Sequence, residues 1–171
     1  SFFDENTAGR MIAAEEVALV SAEVQALFFG GISLAVEPCA DTYADIPARE
    51  GASRAVMMDP NIRPGFIQDE DVYHARLARM FAQADAVKVS DEDLEWLFPE
   101  GADLDARARA LLALGPAFVI VTRGGDGADG YLLSGEKVSV AAQKATVVDT
   151  VGAGDTFNAG VLAKLADMGA L

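Results

Sequence analysis

An α/β domain built on a mainly parallel sheet is the fold class this sequence predicts, and three observations predict it. Short apolar runs alternate with helix-forming segments through most of the 171 residues, the pattern of a sheet whose strands are joined by helical crossovers and covered on both faces. One run, Phe118-Val119-Ile120-Val121-Thr122, is almost uninterrupted in its apolar character, as a strand buried on both faces requires. Near the end of the chain, Thr146-Val147-Val148 leads through the small residues Gly152-Ala153-Gly154 into a helical segment from Thr156 to Met168. In an open α/β sheet, ligands bind beyond the carboxyl ends of the strands, where such turns lie.

The elements follow in order from local chemistry. Residues 1–10 begin as a short strand that turns out at Asn6-Thr7-Ala8-Gly9, and Glu15 to Gln25 has helix-forming composition. Ala26-Leu27-Phe28-Phe29 reads as a buried strand closed by Gly30-Gly31. A helix is predicted from Pro38 to about Arg49 despite Pro47, then the strand Ala55-Val56-Met57-Met58, closed by Asp59-Pro60-Asn61. The next helix runs from Glu70 to Gln83 and the next strand over Ala86-Val87-Lys88-Val89. Ser90 caps a short helix through Leu97, with Asp91, Glu92 and Asp93 favourably placed at the positive end of its dipole. A helix opening at Asp103 or Asp105 ends near Leu114-Gly115-Pro116. After the strand at 118–122, Tyr131-Leu132-Leu133 and Lys137-Val138-Ser139-Val140 form a hairpin about Ser134-Gly135-Glu136.

Composition narrows the function. Acidic residues outnumber basic ones 27 to 13, for a net charge of −14. A surface of that sign repels nucleic acid and anionic membrane. Hydrophobic residues make up 51% of the chain, but no run approaches membrane-spanning length. A lone Cys39 allows neither an internal disulfide nor a cysteine-based zinc site. No leader-like segment opens the sequence, and the cytoplasm is the default expectation. The chain starts without Met and stops in or just after a helix, so it is read as an internal fragment forming a single α/β domain over residues 1–171.

The stretch richest in chemistry is Asp149-Thr150-Val151-Gly152-Ala153-Gly154-Asp155-Thr156-Phe157-Asn158-Ala159-Gly160. Amides at a helix start are unpaired and sit at the positive end of the dipole, so this corner suits an anion. Asp155 is out of place there unless it does chemistry or holds a cation, and the obvious chemistry is to take a proton from an attacking hydroxyl. A bare GAGD is also explained by a glycine turn with an acidic first-turn residue. The full string, however, resembles nearly residue for residue the C-terminal signature of the ribokinase-like (PfkB) carbohydrate kinases. The resemblance implies a three-layer αβα fold with a mainly parallel central sheet, present here without the family's N-terminal sugar-binding lid and extreme C-terminus. It also implies that Asp155 is the catalytic base and that the amides of Gly152, Ala153 and Gly154 form an anion hole. ATP and Mg²⁺ are the implied cofactors. K⁺ is a further one, with Asp149 and the carbonyl of Val151 among its ligands.

Three further motifs lie at predicted strand ends. Asp59-Pro60-Asn61-Ile62-Arg63-Pro64 reads locally as a proline-shaped turn, with Arg63 a fixed cation able to fork onto phosphate or carboxylate. It resembles the family's D-x-N-x-R motif, which places Asn61 and Arg63 at substrate and phosphate. Lys88-Val89-Ser90-Asp91-Glu92-Asp93 resembles K-x-N-x-x-E. That likeness puts Lys88 and Ser90 near the nucleotide and Asp93 near magnesium, with Ser90 replacing an asparagine and Asp93 a glutamate. Thr122-Arg123-Gly124-Gly125-Asp126-Gly127 resembles T-x-G-x-x-G, which assigns Thr122, Gly124 and Gly127 to ATP. Gly125 to Gly130 also fits GxGxxG, but a strand follows rather than a helix, so the dinucleotide reading fails.

The resulting expectation is an ATP-dependent sugar kinase that phosphorylates a primary hydroxyl. Its partners are a small-molecule sugar and ATP, and a homodimer is left open. Asp4 stands where 2-keto-3-deoxygluconate kinases place an arginine for the sugar-acid carboxylate, so a neutral, fructose-like sugar is favoured. A 2-keto-3-deoxygluconate kinase is the runner-up, since Arg63 is still available. A nucleoside kinase and a sugar- or nucleotide-binding regulator without catalysis are the other rivals.

Overall fold

In the computed structural model, which describes residues 5–171, six strands lie side by side in the order of the chain. β1 (Ala26–Gly30), β2 (Ala55–Asp59), β3 (Ala86–Ser90) and β4 (Phe118–Thr122) are parallel. β5 (Ala128–Leu132) and β6 (Lys137–Val140) complete the sheet as an antiparallel hairpin. The crossovers carry α1 (Cys39–Glu50), α2 (Glu70–Phe81), α3 (Asp91–Leu97) and α4 (Leu104–Leu112). Parallel crossovers are right-handed, so strands laid down in one direction send all four helices to one face. Val87, Val89, Val119 and Val121 from the sheet accordingly cluster with Leu77, Met80, Leu94 and Leu111 from the helices. Burying each of these aliphatic side chains contributes roughly 1.5–3 kcal/mol.

Carboxylate and hydroxyl caps start the helices where the sequence places them. Asp69 accepts from the Val72 amide at 3.0 Å and Asp103 from the Ala106 amide at 2.8 Å. Ser90 and Asp93 cap α3 reciprocally, each side chain taking the other's amide at 3.0 Å. The opposite face of the sheet, carrying Phe118, Ile120 and Thr122, is turned toward α5 (Ala153–Asp167), and Phe157, Val161 and Leu165 line the hollows between them. Among the described residues no helix is long and apolar enough to cross a membrane.

Four local expectations are corrected. Glu15 to Gln25 is not a helix, because only Ala14–Glu16 makes a single 3-10 turn. The carbonyls of Val20 and Ser21 are taken instead by the Arg54 guanidinium, at 3.1 Å each, and that of Ala18 by Arg49. Helix-forming composition without a buried stripe is overridden by these side chains. Thr146-Val147-Val148 forms no strand: Val147 and Val148 are 72% and 94% exposed, and β-propensity counts only where a neighbouring strand offers a pleated surface. Phe28 is largely exposed while Phe29 is buried, since alternate residues of β1 face opposite sides. The first strand of the hairpin begins at Ala128, directly out of the glycine turn, and not at Tyr131. The strand expected at the start of residues 1–10 lies partly outside the described residues, and the segment at Asn6 is turn.

Ion pairing secures the hairpin. Lys137 Nζ sits 2.7 Å from Asp105 Oδ1 and 3.4 Å from Asp129 Oδ2, over the Tyr131 ring, whose hydroxyl donates to Asp105 at 2.7 Å. The hydrogen bond from Ser139, followed by the charges of Lys137 and Arg123, holds the Asp129 carboxyl below its ordinary range despite burial. Asp105 is lowered chiefly by its hydrogen bond from Lys137, and Lys137 is raised chiefly by the same bond. Depressed carboxylate values add stability above the unfolded pKa of about 3.9, lost as pH falls through the lower folded values. The raised lysine value adds stability that is lost only as pH rises beyond about 10.4 toward the folded value. Lys137→Met is therefore expected to lower Tm by about 2–4 °C at neutral pH. In a melting series the deficit should shrink as pH falls below about 3.9 and both carboxylates take up protons, and a deficit independent of pH would refer it to lost packing.

Candidate functional site

Because β2, β3 and β4 are parallel and in register, their carboxyl ends lie next to one another. Ser90 is the register partner of Thr122. Beyond β2 the chain turns through Asn61 in a left-handed conformation, φ 43°. The Ile62 amide then donates to Asp93 Oδ1 at 2.9 Å, joining this turn to the start of α3. Asn61 and Arg63 are both exposed, and Arg63 donates to the Ile62 carbonyl at 2.9 Å. Asp93 is buried with both oxygens committed, Oδ1 to Ile62 and Oδ2 to Ser90.

Thr122 opens the glycine turn and donates its hydroxyl to the Val89 carbonyl at 3.3 Å. Gly124 and Gly127 both have positive φ, 51° and 102°. Their surroundings differ. A Cβ on Gly127 would stand 2.0 Å from the Val140 carbonyl oxygen, whereas one on Gly124 would meet nothing within 4 Å. The turn at 127 is thus pressed against the end of β6. Thr122, Gly124 and Gly127 line one side of a cavity of about 560 Å³, with Val140 behind them and Ala153 and Gly154 across from them. This mostly apolar hollow lies between the hairpin and the first turn of α5.

The first turn of α5 is organised by its own backbone. Asp149 Oδ1 accepts the Val151 amide at 2.9 Å, and Gly152 is the N-cap at φ 77°. Both the amide and the hydroxyl of Thr156 donate to the Gly152 carbonyl at 2.9 Å. The Ala153 amide closes onto Thr150 O at 3.1 Å. Among the described residues, the amides of Gly152, Gly154 and Asp155 have no protein acceptor. Ala153 is thus engaged, whereas the amide of Asp155, not foreseen from the sequence, is open. The Asp155 side chain is exposed.

Beneath this turn lies a buried polar cluster. Lys88 Nζ is 2.9 Å from Asp59 Oδ2, and Asn158 Nδ2 donates to the same oxygen at 2.7 Å. Lys88, Asp59 and Asn158 are 7%, 5% and 2% exposed. The lysine ammonium lies 3.5 Å from where a Cβ would stand on Gly154. Lys88 therefore reaches the turn from the sheet, on the side that α5 covers. Metal fit is poor by comparison. No group of three or more His, Cys, Asp or Glu side chains gathers among the described residues, and both oxygens of Asp93 are occupied.

The sequence matches the pfkB family carbohydrate kinases over residues 3–171. The chain belongs to that family. A fructokinase of Rhizobium leguminosarum bv. trifolii is 50% identical over 165 residues, which make up 96% of this chain and 50% of that protein. The pfkB chain thus spans about half the length of the curated relatives it matches. A crystal structure of fructokinase from Vibrio cholerae O395, with fructose, ADP and calcium bound, has a TM-score of 0.82 at 25% identity, covering 94% of this chain and 51% of that one. The ATP-bound fructokinase of Xylella fastidiosa has a TM-score of 0.86 at 24% identity, covering 98% of this chain and 52% of that one, and shows the shared fold.

Asp59 and Asn158 were not singled out from the sequence, although each stands inside a motif of this pfkB chain. The only available signal was an acid closing a buried strand, which needs a partner. The two glycines make a sharp comparison. Gly124→Ala is expected to cost about 1–2 kcal/mol, the strain of a left-handed alanine. Gly127→Ala adds a clash with backbone and should cost more than about 3 kcal/mol. Urea denaturation checks the order, and equal losses would show that the contact with Val140 is readily relieved.

Proposed function

We propose that this chain is the catalytic part of an ATP-dependent kinase that transfers the γ-phosphoryl group to a primary hydroxyl of fructose. The observation that carries the reading is Asp155, an exposed carboxylate in the first helical turn beside the open amides of Gly154 and Asp155 itself. The sugar oxygen attacks the γ-phosphorus, the bond to the bridging oxygen of ADP breaks, and the hydroxyl proton passes to Asp155. Open amides at the positive end of α5 stabilise charge on the phosphoryl oxygens. The apolar cavity between the hairpin and α5 takes part of the nucleotide, with Thr122, Gly124 and Gly127 on its wall. Ser90 borders Thr122, and the exposed Arg63 and Asn61 beyond β2 are assigned to the substrate.

Magnesium in this reading arrives with ATP. Mg²⁺ commonly keeps waters and substrate phosphates as ligands, whereas Asp93 spends both oxygens on backbone amides. Asp93 thus shapes the turn that carries Arg63. K⁺, where bound, would be held by the exposed loop of Asp149 and Val151 through a carboxylate oxygen and a carbonyl. Fructose is favoured because the similar proteins named above are fructokinases. Asp4, from which a neutral sugar was inferred, lies outside the described residues.

In the full-length enzyme, Asp155→Asn should lower kcat by roughly 10²–10⁴-fold with little change in nucleotide affinity. Asp149→Asn should act mainly on the K⁺ dependence. Steady-state assays with ATP titration, with K⁺ titration, and with fructose against 2-keto-3-deoxygluconate measure all three points. A near-normal kcat in Asp155→Asn removes the proposed base, and a kcat/KM favouring the sugar acid removes fructose.

A further inference from the structure

We propose that Asp59 and Asn158 are positioning residues that hold the Lys88 ammonium against the back of the Gly152–Gly154 turn. β2, β3 and α5 then jointly fix the ammonium end of one buried ion pair beside the turn that takes the transferred phosphoryl group. The inference rests on the kinase reading above and adds two residues to it, on strand β2 and helix α5.

Three observations carry it. The first is position. Asp59 ends β2, Lys88 belongs to β3, and Asn158 stands one turn after Gly154 on α5. A single carboxylate oxygen, Asp59 Oδ2, receives both the ammonium at 2.9 Å and the Asn158 amide at 2.7 Å. One atom therefore ties both strands to the helix that carries Asp155. The second is direction. Lys88 Nζ lies 3.5 Å from the Cβ position of Gly154, so the charge stands against a turn whose Gly154 amide is open. Glycine at 154 leaves no side chain between ammonium and anion. The third is incompleteness. Asp59 Oδ1 and Asn158 Oδ1 are buried and accept from no donor among the described residues. The Asn158 amide cannot simply be reversed, because a carboxylate only accepts and would then face the amide oxygen. Unsatisfied acceptors cost stability and a half-satisfied buried network is a poor way to hold a core together. Buried ion pairs are likewise weak stabilisers beside apolar packing. The cluster is better explained by what it does to the turn than by what it adds to folding.

Two sets of variants of the full-length enzyme, assayed with ATP and fructose, test the proposal. Asp59→Asn with Lys88→Met removes both charges together and leaves no buried ion unpaired. It should melt near the parent, keep KM for fructose within about 2-fold and lose at least about 10-fold in kcat. Asp59→Asn and Asn158→Asp made singly should each lose kcat to a similar degree. Combining them exchanges the carboxylate and the amide, and should restore kcat to within about 3-fold of the parent. A folded charge-free variant with parental kcat overturns the proposal, and so does a folded exchange variant no better than its singles. A merely structural cluster would move Tm and KM along with kcat. Asp155→Asn run in parallel separates the two readings. If it alone is impaired, the base stands and the cluster falls. If it is fully active, the proposed base falls while the cluster is still judged by its own variants.

Discussion

Four parallel strands laid down in chain order leave their crossover helices no choice of face, and the rest of the molecule depends on that constraint. Right-handed connections that advance in one direction stack α1 to α4 on one side, where the aliphatic residues of β2, β3 and β4 form the core. The other side is left to α5, which meets the sheet through few apolar residues, and only Asn158 of α5 is buried. The same arrangement brings the carboxyl ends of β2, β3 and β4 together and points the loops after them toward the start of α5. Site and core are thereby separated. The helical face carries the packing, and the other face carries the candidate site.

That separation explains the character of Lys88. A lysine inside a buried parallel strand is costly unless its charge is paired and hydrogen-bonded. Here its neighbours in the strand face the apolar core, while its own side chain takes the alternate direction toward α5. Asp59 closes β2 and stands within reach of it across the sheet. The strong negative charge of the whole chain, −14, makes a local positive feature more consequential for an anionic ligand. A buried ammonium and oriented amides are less screened by salt than surface charges of the same size.

Much of the fold was legible in the sequence because it rests on local signals. Ser90 and Asp103 mark helix starts by hydroxyl and carboxylate, and Phe118 to Thr122 carries the unbroken apolar run of a central strand. The turn at Gly152 was legible as well, since small residues before a helical segment admit few other geometries. Glu15 to Gln25 was misread because nothing local announces that Arg49 and Arg54, distant in sequence, will take its carbonyls. Thr146 to Val148 was misread because β-branching states a preference and not the presence of a neighbouring strand. Within the site, Asp155 and the glycine turns could be placed from their motifs. The union of Asp59 with Asn158 could not, because it depends on how a helix crosses the sheet.

The bond between those two side chains also bears on the order in which the molecule assembles. Contacts that fasten adjacent strands bridge short stretches of chain: Val56 to Asp85 spans 29 residues and Thr122 to Val89 spans 33. Each such closure can follow the previous one as the chain emerges, adding a strand and its helix at a time. Asn158 to Asp59 spans 99 residues, and it presupposes that β2, β3 and β4 are already side by side. Loop-closure entropy rises only slowly with length, so the delay comes from this prerequisite more than from distance. The scaffold of β2, β3 and β4 can therefore form before the contact that fastens α5 to it.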